Sequence, residues 1–80
     1  MTDGQNLVHA QKLVAVGLRA ELVETLHPQM VARIVLVVQA TRATHKLAQV
    51  QLVSMDEQGR LSLCLTDKRM TTLTYLFPAL

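Results

Sequence analysis

The sequence predicts an α+β fold, with one N-terminal amphipathic helix packed on an antiparallel meander of three to four strands. Three observations predict it. Residues 6–26 repeat apolar side chains at helical spacing. Residues 46–55 and 60–66 alternate in polarity on either side of the turn-forming stretch DEQG. Residues 70–77 alternate again, with Thr and both aromatic residues of the chain among them. The eighty residues are expected to form a single domain, 1–80.

In the first segment Leu7, Val14, Leu18 and Leu22 fall on one side of a helix, and Val8, Ala15 and Leu26 widen that stripe. Lys12, Arg19 and Glu24 lie away from it. Asp3 or Asn6 is a candidate N-cap. Gly17 costs about 1 kcal/mol relative to alanine inside a helix, which calls for a close neighbour there. Pro28 disfavours helical geometry at His27, so the helix is expected to stop near Leu26.

The stretch ARIVLVVQAT, Ala32 to Thr41, admits two readings. As a helix at about 28–46, followed by a β-hairpin, it would begin with Pro28 at its first position and gather Met30, Ile34, Val37, Val38 and Thr41 on one face. As a strand it benefits from four β-branched residues in the run Ile34–Val38. The strand reading is preferred on that ground. It makes the segment a central strand, apolar on both sides.

The hairpin follows. Ala48, Val50 and Leu52 share one face of the first arm, opposite Gln49 and Gln51. Leu61, Leu63 and Leu65 share one face of the second, opposite Ser62, Cys64 and Thr66. Gly59 supplies positive φ in the turn between them. Thr66–Arg69 is the expected turn into the last strand, where Leu73, Tyr75 and Phe77 point together and Pro78 ends the pairing.

Half of the residues are hydrophobic, a large apolar content for one small domain to bury unaided. One helix covers one sheet face, so the chain is expected to pair with another copy through the second sheet face or through a strand edge. The interface candidates are Val35, Val37, Val53, Cys64 and Leu76. Cys64 is the only cysteine, which rules out an internal disulfide and fits a reducing cytoplasm. The N-terminus is polar, and the longest strictly apolar run, Ile34–Val38, is too short to span a bilayer, so no membrane association is expected.

No stretch carries a phosphate-cradling glycine pattern, and the three histidines and Cys64 lack the close spacing of a metal knuckle. No catalytic residue, cofactor or metal is therefore expected. His27 is read as a charge at a helix end, and the acids Asp56, Glu57 and Asp67 as turn formers. The preferred function is a small non-enzymatic homodimeric protein-binding module, an adaptor, inhibitor or regulator. The first alternative is a nucleic-acid-binding regulator. Its candidate contacts are Arg33, Arg42, His45, Lys46, Arg60, Lys68 and Arg69, which are basic residues at predicted turns and segment ends. The second alternative is a small enzyme or ligand-binding protein with a site at the dimer interface.

Overall fold

The structure is a computed structural model that describes residues 3–79. Helix α1 (Asp3–Ala15) leads through a 3₁₀ turn (Ala20–Glu24) into helix α2 (Pro28–Thr44). Strands β1 (Leu47–Met55), β2 (Leu61–Asp67) and β3 (Thr72–Phe77) follow as an antiparallel sheet in the order β1-β2-β3. The fold is α+β, with a three-stranded meander. The side chains of Asp3 and Asn6, the two candidate caps, lie outside the described residues, and Asn6 falls inside α1 rather than before it.

Two expectations need correction. Ala32–Thr41 is helical, not extended, so the central strand proposed for Ile34–Val38 does not exist. Helical propensity penalises each β-branched residue by at most about 0.7 kcal/mol. Burial of one Val, Ile or Met side chain is worth roughly 1.5–3 kcal/mol. The helix gathers Met30, Val31, Ile34, Val38 and Thr41 onto one buried face, whereas a strand would split the apolar run between two faces. The start is also well specified. His27 is the N-cap, its Nδ1 accepting the Gln29 N–H at 3.1 Å, and Pro28 takes the first helical position.

The second correction concerns the first segment. α1 ends at Ala15, well before Leu26. Gly17, at φ +91°, turns the chain in the left-handed region. The Gly17 N–H bonds to the Val14 carbonyl at 3.0 Å and the Leu18 N–H to the Leu13 carbonyl at 2.8 Å, while Leu13 and Leu18 are both buried. That is the Schellman arrangement, which satisfies terminal carbonyls and closes with an apolar contact. Gly17 also lies against β1, since a Cβ there would sit 3.7 Å from Val50 Cβ. The helix buries Leu13, and Val16 just past its end is buried too, while Leu7 and Val14, half of the expected stripe, are exposed.

The core lies between the helices and one face of the sheet. The helices supply Leu13, Val16, Met30, Val31, Ile34 and Val38. The sheet supplies Val50, the three leucines Leu61, Leu63 and Leu65, and Phe77. Register explains the inward leucines: Leu65 pairs with Val50 and Leu73, Leu63 with Leu52 and Tyr75, and Leu61 with Met55 and Phe77. Register shifts between Leu47 and Gln49 and between Leu52 and Ser54 interrupt the alternation of β1, leaving Ala48 and Val53 exposed. Side chains tie the layers at their margins. The Arg42 guanidinium donates to the Ala15 carbonyl at 3.0 Å, and the Tyr75 hydroxyl lies 3.4 Å from Oγ1 of the buried Thr41.

Candidate functional site

The sheet face away from the helices is polar. Its rungs are Gln49–Thr66–Thr72, Gln51–Cys64–Thr74 and Ser54–Ser62–Leu76. Leu76 is 79% exposed there, and Val53 is 58% exposed at the interruption in β1. Cys64 is a free, half-buried thiol on the central strand. Val35 and Val37 are not on this face: both are half-buried on α2 and pack against the core. The five interface candidates are thus divided between two layers. The second face of the sheet loses Val35 and Val37, which lie on a segment that coils, and keeps Val53, Cys64 and Leu76 among mostly polar residues.

The seven basic candidates divide as well. Arg33 reaches the Pro78 carbonyl at 3.5 Å, and Arg60 pairs with Asp56 at 2.6 Å, both toward the end of the sheet where β1 turns into β2. Arg42 is committed to the end of α1. The remaining four, His45, Lys46, Lys68 and Arg69, come together at the opposite end. With Thr44 and Asp67 they line a cleft of about 450 Å³.

Local structure builds this cleft. His45 caps α2, its N–H bonding to the Thr41 carbonyl at 2.8 Å and its Nδ1 lying 2.8 Å from Thr44 Oγ1. The Lys46 carbonyl accepts the Lys68 N–H at 2.9 Å, which fixes the end of α2 beside the β2–β3 turn. In that turn Asp67 Oδ1 accepts the N–H groups of Arg69 at 2.9 Å and Thr71 at 2.8 Å. Met70 takes φ +68°, and its N–H bonds to the Asp67 carbonyl. Lys68 and Arg69 are held outward on this frame.

The β1–β2 turn repeats the design. Asp56 Oδ1 accepts the N–H groups of Gln58 and Arg60, and Gly59 occupies the left-handed position at φ +83°. In each turn an aspartate is followed three residues later by the left-handed residue, a spacing visible in DEQGR and DKRMT. The turn expected at Thr66–Arg69 starts one residue too early, since the bend runs from Asp67 to Thr71. The carboxyl of Asp56 is held below its ordinary value of 3.8, chiefly by the backbone N–H of Arg60, with the Arg60 side chain assisting.

The cleft is electropositive. Among the described residues the ion pairs are Arg19–Glu21 and Arg60–Asp56, so Lys46, Lys68 and Arg69 line the cleft outside any ion pair, with Asp67 as the one acid in its lining. Part of this charge offsets the negative end of the α2 dipole, worth about 0.3–1 kcal/mol per cation at an exposed site.

The histidines do not converge. His9 is on α1, His27 at the start of α2 and His45 at its end. His27 stands at a helix N-terminus, where positive charge is disfavoured, and its Nδ1 accepts a hydrogen bond; the reading of His27 as a favourable charge is corrected accordingly. Among the described residues no group of three or more His, Cys, Asp or Glu is placed to hold a metal ion, and no helix is long and apolar enough to cross a membrane.

Sequence reasoning missed the outward apolar side of α1 and the exposed Leu36 on α2. The wheel shows apolar residues on several sides of both helices, but only packing reveals which side turns inward. No protein-family model, curated protein or solved structure matches the chain.

Proposed function

We propose that this chain is a non-enzymatic protein-binding module, an adaptor, inhibitor or regulator, that self-associates through the outer surface of its helices. One observation carries this reading. α1 is apolar on two sides, and its own fold packs only one of them: Leu13, with Val16 just past the helix end, is buried, whereas Leu7 is 61% and Val14 57% exposed. These two lie seven residues apart, two turns along the same helix face. On α2, Leu36 is 68% exposed, flanked at helical spacing by the exposed Ala32, Ala40 and Ala43. A helix with apolar residues on both sides favours cover on both. The small alanines around Leu36 would let a neighbouring helix approach closely. The sheet face is the weaker candidate, because its rungs are mostly Gln, Ser and Thr.

The solution mass, measured by sedimentation over a hundredfold range of concentration, tests this reading. The expected result is a monomer–dimer equilibrium, moved toward monomer by Val14→Glu and by Leu36→Glu with the circular dichroism spectrum unchanged. Leu76→Glu on the sheet face should leave the equilibrium as it was. A mass that stays monomeric at every concentration defeats the proposal. So does a dimer that Leu76→Glu disrupts and the helix substitutions do not.

A further inference from the structure

We propose that the cleft lined by His45, Lys46, Lys68 and Arg69 binds the phosphates of a nucleic acid, and that the adjoining sheet face carries the sugar–phosphate chain away from it. Three exposed cations, two of them on one turn and the third beside that turn, meet at this end of the sheet. None is used in an ion pair among the described residues. The rung Gln49–Thr66–Thr72 follows directly behind the turn, and Gln51–Cys64–Thr74 lies beyond it. Neither rung carries a carboxylate, and in the cleft itself the one acid, Asp67, is hydrogen-bonded to the Arg69 and Thr71 N–H groups. Gln and Thr side chains both donate and accept hydrogen bonds, which suits phosphate oxygens and sugar hydroxyls alike.

The same geometry disfavours a small isolated anion. Such an ion is usually cradled by converging backbone N–H groups. In this turn the N–H groups of Arg69 and Thr71 are already taken by the Asp67 carboxylate. What remains are long side chains on an open rim, which fit charges strung along a polymer. The uncovered rungs carry no aromatic residue, so contacts to the backbone rather than stacked bases supply the affinity, and little sequence preference follows. The cleft takes Thr44 and His45 from the end of α2 but none of Leu7, Val14 and Leu36, so the two proposals rest on different side chains.

Fluorescence anisotropy tests the proposal with labelled single-stranded RNA, single-stranded DNA and duplex DNA of mixed sequence, titrated with the full chain over a series of salt concentrations. Three phosphate contacts predict a log–log salt slope of about −2 for a single strand and about −2.7 for a duplex. Affinity for a single strand should therefore fall roughly 15-fold over a fourfold rise in salt. The better-bound arm identifies the nucleic-acid form. Lys68→Glu with Arg69→Glu should abolish binding, and Lys68→Gln alone should lower the slope by about one. Arg19→Glu, just before the 3₁₀ turn, and the self-association variant Val14→Glu should both still bind. Absence of binding at low salt overturns the proposal, as does binding that survives the double substitution in a natively folded chain. Equal displacement of the oligonucleotide by pyrophosphate or by poly-glutamate also overturns it, because the site would then read charge without the polymer's chemistry.

Discussion

Met70 holds a backbone conformation that glycine holds in the equivalent position of the other hairpin. Its φ is +68°, against +83° at Gly59, and each residue stands three places after the aspartate that caps its turn. An L-residue in the left-handed region costs about 1–2 kcal/mol, partly recovered because a non-glycine chain loses less entropy on folding. The Met70 side chain is 79% exposed, so it returns little packing energy. Met70→Gly should therefore stabilise the protein by about 0.5–1 kcal/mol, and Gly59→Ala should destabilise it by a similar amount. Urea midpoints of the two variants, read against the parent, check both signs. Asp56 makes a second prediction. Its carboxyl is held low mainly by the Arg60 N–H, so its anion stabilises the folded state more than the unfolded one. The contribution is complete above the unfolded value near 3.8 and disappears as pH falls through the lower folded value. Asp56→Asn should flatten the dependence of the urea midpoint on pH in that acid range and leave the rest of the curve parallel to the parent.

At the scale of elements, the end of α1 depends on Gly17. The added Cβ of Gly17→Ala would stand 3.7 Å from Val50, an ordinary contact, so the cost lies in the backbone at φ +91° and not in a clash. With the same entropic recovery, a loss of about 0.5–1 kcal/mol follows. Because the bonds from Gly17 and Leu18 close α1, the loss should appear together with faster amide exchange in its last turn, measured by hydrogen-exchange mass spectrometry. α2 illustrates the opposite balance. Its β-branched residues are poor helix formers one by one, yet the helix stands because five buried side chains share one face and His27–Pro28 marks its start. The strands were more legible than the helices. An alternating pattern such as Leu61–Thr66 has few helical interpretations, whereas the apolar run at Ile34–Val38 is compatible with burial in either conformation.

For the whole molecule, the coiling of Ala32–Thr41 moves the unpaired apolar surface from the sheet to the helices. Val35 and Val37 pack against the core, the sheet's outer face is left mostly polar with Val53 and Leu76 exposed, and Leu7, Val8, Val14 and Leu36 are exposed on the helical layer. The proposed self-association and the proposed nucleic-acid site use different side chains, which is why Val14→Glu and Lys68→Glu are expected to act separately. Additivity of the two substitutions, in solution mass and in anisotropy, is the whole-molecule expectation for sites that share no side chains. The candidate site was legible only in pieces. The seven basic residues could be named from their positions near turns, but their sorting into four at one cleft and three elsewhere required the sheet register and the direction of α2.

Local chemistry was enough to specify the hairpin, its turn residues, the last strand and the α+β class, because alternation and aspartate–glycine spacing act over a few neighbouring residues. The conformation of Ile34–Val38, the inward side of α1 and the gathering of Lys46 with Lys68 and Arg69 were settled by packing. Each depends on partners distant in the chain, and burial against those partners outweighs preferences of a few tenths of a kcal/mol per residue.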